Sequence, residues 1–200
     1  MLHLDSAAAG HAAEMMVPRW FDKRPGLTLA DNVGQLAAAV RRAAGAYSAD
    51  APATAFGLSE RHHAALMRAG DAAGETALTT AYGAAVLDRA VLDALCRAAG
   101  LSFFEAMARN LPGLAPTPLA PELGAGFDWA RWLEKRRPAT SLEARHTVGL
   151  LDTPASVADA AATHGHTHFK IKLGGKPDTD AARLAELLAV LDAHVPGYVY

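Results

Sequence analysis

The chain has 200 residues, 51% of them hydrophobic and 20% charged, with a formal net charge of -2. That is ordinary globular composition, enough for one large domain or two small ones with a real core. It excludes a strongly basic protein, and no basic stripe marks a nucleic-acid surface. The only cysteine, Cys96, cannot form an intramolecular disulfide. It lies in a helical pattern and reads as a small core residue rather than a nucleophile, because apolar surroundings suppress the thiolate. A reducing cytoplasm is the default compartment. Met1 to Asp5 lacks a basic region followed by an apolar run, so it does not read as a secretory signal. No apolar stretch reaches the roughly 20 residues that span a bilayer.

In chain order, Pro18-Arg19-Trp20-Phe21-Asp22-Lys23 comes first as a compact aromatic-charged element. It reads as a Trp-Phe anchor that packs the N-terminus down, with a loop reaching over a substrate as the alternative. Val33, Leu36, Ala37, Val40, Ala44 and Tyr47 then recur at helical steps, with Asp31 as cap. Ala51 to Thr54 breaks this helix, and a second begins near Ser59. His62 and His63 lie on it. Neighbouring positions point about 100° apart, so they do not form a metal pair. The longest helix runs from about Thr79 to Ala98, with Ala81, Ala84, Ala85, Asp88, Val91, Leu92 and Leu95 on its buried side and Gly100 after its end. Asp88 and Asp93 read as structural ion pairs with Arg89 and Arg97. Ser102 and Glu105 make a capping box for a short helix ending at Asn110.

Leu114 to Gly126 has linker composition, and Trp129, Trp132 and Leu133 suggest a short helix. The pattern then changes. Arg145 to Leu151 reads as a strand, Thr153-Pro154 opens a helix closed by His164-Gly165, and Thr167 to Leu173 reads as a second strand. Asp178 or Thr179 opens a helix that Pro196-Gly197 ends, and Tyr198-Val199-Tyr200 looks like the start of a third strand. This is a β-α-β-α-β order with short loops, hence a parallel sheet. The strand rhythm is compatible with an eight-fold α/β barrel.

Lys170 and Lys172 are the sharpest feature of that segment. Strand alternation puts His168, Lys170 and Lys172 on one face and Phe169, Ile171 and Leu173 on the other. Two ammonium groups on one face of a strand between helices are expensive unless that face looks into a polar cavity. Lysines guarding a sheet edge are the alternative. His164, His166 and His168 precede the strand's middle, so they fall away from its C-terminal end, where barrel sites lie, and are not assigned a metal. Gly174-Gly175 could cradle a phosphate, but the fingerprint is incomplete and a tight strand-to-helix turn fits better. Asp152, at the end of the first strand, reads equally as a substrate contact or a turn residue.

Lys170-Ile171-Lys172-Leu173-Gly174, followed by a helix with Asp180, Arg183 and Leu184, resembles the Lys-x-Lys strand of the enolase superfamily, in its mandelate racemase and muconate lactonizing enzyme branch. The Ala85 to Leu95 helix, then Gly100-Leu101-Ser102-Phe103-Phe104, is similar to that branch's capping domain. The resemblance spans about Ala77 to Tyr200. The three-stranded meander that usually opens the capping domain is not recognisable.

The resemblance implies an α/β fold. Residues 1–140 would be a helical capping domain with linker, and 141–200 the first two to three βα units of an incomplete TIM-type barrel, truncated in strand 3. It implies removal of a proton from the carbon next to a carboxylate, in a racemase, acid-sugar dehydratase or cycloisomerase type of reaction. Lys172 would be the base and Lys170 its neighbour, able to hold the substrate carboxylate. A like charge and partial desolvation both favour a neutral amine, the form that accepts a proton. The resemblance further implies Mg²⁺ held by three carboxylates on later strands, none of them in this chain, and a homo-oligomer when full length. The 200-residue chain is then expected to be a fragment, inactive alone. The partner is a small carboxylate, with no nucleic acid and no membrane. The alternative is a non-catalytic interaction module, or gene fragment, that keeps the capping helices.

Overall fold

Hydroxyl and carboxylate side chains decide where most helices start. The computed structural model describes residues 8–49, 51–124 and 126–200, so the reading of Met1 to Asp5 lies outside the described residues. Helix α1 (Leu29–Ser48) begins at Thr28, α2 (Ala55–Ala72) at Thr54, α3 (Ala77–Ala99) at Thr76, and α4 (Phe103–Ala108) at Ser102. Each hydroxyl accepts a backbone N–H that has no partner within the helix. Two expected starts are corrected. Asp31 is not the cap of α1 but the third residue of a capping box with Thr28. Helix α2 begins at Ala55 rather than near Ser59, because the Thr54 hydroxyl takes the Gly57 N–H at 3.0 Å. Gly100 closes α3 in the left-handed region, at φ 64°. Asn110 follows α4 at φ 49° and brackets Leu114 with both ends of its amide, at 2.9 and 2.7 Å.

The chain divides into two units, one running to Pro138 and the other from Ala139 to Tyr200. In the first, a short 3-10 helix (Pro18–Trp20) precedes α1 to α4, and α5 (Trp129–Glu134) follows them. Its buried apolar residues are Leu36, Ala39 and Ala43 of α1, Leu66 of α2, Tyr82 of α3, Ala106 of α4 and Leu133 of α5. The most buried positions of α3 are Thr79, Thr80, Tyr82 and Gly83, not the later alanine and leucine stripe, which is half-buried or exposed. Helices α1 and α3 approach so closely at Gly83 that no side chain fits there. No strand occurs among the described residues of this unit.

The second unit is α/β. Strand β1 (Arg145–Val148) and β2 (His168–Ile171) form a two-stranded parallel sheet, with α6 (Pro154–His164) between them and α7 (Pro177–His194) after β2. Val148, Phe169, Val157, Ala161, Leu187, Leu191 and Val195 form its core, with Ile171, Leu188 and Tyr198 packed against it. Both strands are shorter than their sequence patterns suggest. Beyond Val148, the Gly149 N–H turns to the Asp152 carboxylate at 2.7 Å and leaves the ladder. The expected third strand at Tyr198 to Tyr200 is one parallel bridge, His168 to Val199. Gly197, at φ 65°, turns the chain so that it reaches the edge of β2 only at Val199.

Candidate functional site

The helices cover one face of the sheet. In register, His146 pairs with Phe169 and Val148 with Ile171. Phe169 and Val148 are buried, and Ile171 packs on the same core. The alternate positions Arg145, Thr147 and Lys170 are exposed, with Thr147 beside Lys170 and Arg145 beside His168. Lys170 therefore leaves the sheet on the side without helices. Lys172 lies one residue past β2 and is also exposed. Its backbone N–H donates to Val148 O at 3.0 Å, so its position is pinned to the end of β1.

Two residues of α7 build the rim around that point. Lys176 at the start of α7 offers no capping side chain. Asp180 reaches back instead and accepts the N–H groups of Gly174 at 2.8 Å, Gly175 at 2.8 Å and Lys176 at 3.0 Å. These bonds, that of Gly174 foremost, hold its carboxyl below the usual aspartate range against the opposing effect of desolvation. The Gly-Gly amides that an anion would need are thus taken by the chain's own carboxylate. Arg183 donates to Gly149 O at 2.6 Å and Asp152 O at 3.1 Å. The Asp152 carboxylate accepts the Gly149 N–H at 2.7 Å, which ties it into this turn. A groove of about 680 Å³ runs beside this rim, lined in part by Leu150, Leu151, Asp152, Arg183 and Glu186. The roles of Asp180 and Arg183 were not read from the sequence. The signal was present, in a helix that follows a glycine pair and carries an acid in its first turn but no cap before it.

The other singled-out residues fall into local packing. His166 sits against the rings of His146 and His164, at 5.4 and 5.7 Å between centroids. Among the described residues, no group of three or more His, Cys, Asp or Glu is arranged to hold a metal ion. Asp93 pairs with Arg97 at 2.8 Å, but Asp88 does not pair with Arg89. Asp88 accepts the Tyr47 hydroxyl at 2.8 Å and the Ser59 hydroxyl at 2.9 Å, while Arg89 reaches Glu14. Cys96 is half-buried on α3 and lines a groove of about 530 Å³ with Arg89, Asp93 and Arg97.

The aromatic-charged element is anchored through Phe21 and Asp22. Phe21 meets Tyr82 edge-on at 4.9 Å. Asp22 is buried and paired with Arg24, which also donates to Gly74 O. Trp20 stays 58% exposed.

No protein-family model matches this chain, and neither a curated protein nor a solved structure matches it. No helix among the described residues is long and apolar enough to cross a membrane.

Proposed function

We propose that the chain is the N-terminal part of a Mg²⁺-dependent enzyme of the enolase superfamily, in the mandelate racemase and muconate lactonizing enzyme branch. Lys172 removes the proton next to a substrate carboxylate, and Lys170 is its cationic neighbour. In this reading the first unit is the capping domain and the second the opening βα units of a barrel. One observation carries the proposal: Lys170 leaves β2 on the face opposite the helices, and Lys172 follows at the C-terminal end of the strand. In this reading the Lys172 side chain follows that of Lys170 to the same side, although β2 itself ends at Ile171. In α/β barrels that face is the interior, and the strand ends form the site.

A carbon next to a carboxylate is a very weak acid, so a base must meet it unprotonated and the enediolate charge must be stabilised. The lysines offer a base and a cation for the carboxylate. In this reading the Mg²⁺ ligands belong to later strands, and the two amines are this chain's part in the chemistry.

The test is exchange of α-protons with D₂O, followed by ¹H NMR over a panel of 2-hydroxy acids, acid sugars and N-acyl amino acids. Lys172→Ala in the full-length protein is expected to cut exchange by about 10²–10⁴-fold. Undiminished exchange would remove Lys172 as the base. The 200-residue chain alone is expected to bind no Mg²⁺ tightly by titration calorimetry; stoichiometric binding would contradict the assignment of the ligands to later strands. A second reading, a non-catalytic interaction module, draws on Leu150, Leu151 and Leu173, all exposed on the two loops of the same rim. It predicts no exchange with any carboxylate.

A further inference from the structure

We infer that Asp180 and Arg183 are positioning residues for Lys172, gripping from one helix the two loops that bracket its backbone. The inference rests on the reading of Lys172 as a base. Lys172 donates its N–H to Val148 O at 3.0 Å. The next residue of that first loop, Gly149, is held twice, through its N–H by Asp152 at 2.7 Å and through its carbonyl by Arg183 at 2.6 Å. On the second loop, two residues past Lys172, Asp180 gathers three successive N–H groups, from Gly174 to Lys176. Asp180 and Arg183 are three apart and share a face of α7. The helix itself is fixed by Leu187 and Leu191, both fully buried.

Strand-to-helix loops are ordinarily the mobile part of such a fold. A reacting group misplaced by about 1 Å loses on the order of 10²-fold in rate. The grip answers that need on both sides of Lys172, and the loop is shaped for it. Gly175 has φ 85°, and a Cβ at Gly174 would stand 3.3 Å from Asp180 Oδ1.

Asp180→Asn keeps the shape but leaves one acceptor oxygen for three donors, and Arg183→Met removes the other contact. Amide hydrogen exchange by ¹⁵N NMR on the 200-residue chain is the first readout. Exchange at Lys172, Gly174 and Gly175 is expected to quicken by at least about tenfold in Asp180→Asn, with Phe169 in the core unchanged. Asp178→Asn, which removes a first-turn carboxylate without a loop contact, is expected to change none of them. If Asp180→Asn fails to fold, the milder Arg183→Lys carries the comparison at Lys172, whose partner Val148 precedes the Gly149 that Arg183 holds. In the exchange-active enzyme, kcat should fall about 10²-fold with KM nearly constant. Unchanged protection in both variants, or full kcat in folded Asp180→Asn, overturns the inference. Normal substrate exchange with unchanged protection removes the grip and leaves the base. Lost protection in a wild-type background that exchanges no substrate proton leaves the grip and removes its positioning role.

Discussion

Gly83 of α3 lies against the backbone of Ala39 of α1, with no room for a Cβ between them. The contact sets the turn of α3 that is buried, where Thr79, Thr80 and Tyr82 flank Gly83. Gly83→Ala would push the helices apart or strain both. It is expected to destabilise the first unit by about 1–3 kcal/mol. Urea unfolding followed by circular dichroism measures it, and an unchanged midpoint would show that the helices yield freely.

Tyr47, Ser59 and Asp88 join α1, α2 and α3 through two hydroxyl bonds to one carboxylate. Burial first, then the bond to Asp88, pushes the Tyr47 phenol well above its usual range. Tyr47→Phe is expected to cost about 1–2 kcal/mol, since it strips a donor from a half-buried anion. Combined with Ser59→Ala, the loss should exceed the sum of the single losses, because Asp88 then keeps neither donor. Simple additivity in the double-mutant cycle would argue against a shared network.

Leu187 and Leu191 are fully out of solvent in the second unit, under Val148 and Phe169. Leu187→Ala is expected to cost about 2–5 kcal/mol. Loss of dispersion in the Val148, Phe169 and Val157 methyl and ring signals by NMR, at lower denaturant than wild type, is the readout. A cost under 1 kcal/mol would mean that this small core collapses into the space left.

Acid should loosen the rim. The Asp180 carboxyl lies below its ordinary 3.8 because the amide of Gly174, followed by those of Gly175 and Lys176, favours the charged form, with Arg183 adding to it. A depressed folded pKa contributes stability that is complete above the unfolded value and is lost as pH falls through the folded one. Asp22, Asp31, Asp93 and Glu105 shift in the same direction. The whole protein should therefore lose stability below pH of about 4. The difference between wild type and Asp180→Asn isolates the rim: it should shrink on acidification over that range. A pH-independent difference would count against the carboxylate.

Local chemistry was legible in the residues themselves. Ser102 with Glu105, Thr153 before Pro154, and Gly100 and Gly165 in the left-handed region mark helix ends where their side chains, or lack of one, dictate. The alternation around Lys170 also follows from the pleat, since two residues are one period of a strand. Contacts between distant segments were not legible. Periodicity gave α3 a leucine and alanine face, whereas the close approach of α1 at Gly83 buried the turn that carries Thr79, Thr80 and Tyr82. Asp88 looked like a partner for Arg89, yet two helices had to converge before Tyr47 and Ser59 could reach it.

Sequence alone thus marked the helix ends at Ser102, Thr153, Gly100 and Gly165 and the alternation that separates Lys170 from Phe169 and Ile171, because each depends on residues only a few positions apart. The tertiary structure decided how far the strands run, which face of α3 is buried and which side chains hold the loops beside Lys172. Those depend on groups such as Arg183 and Gly149, far apart along the chain, whose meeting is set by the packing of whole helices against the sheet.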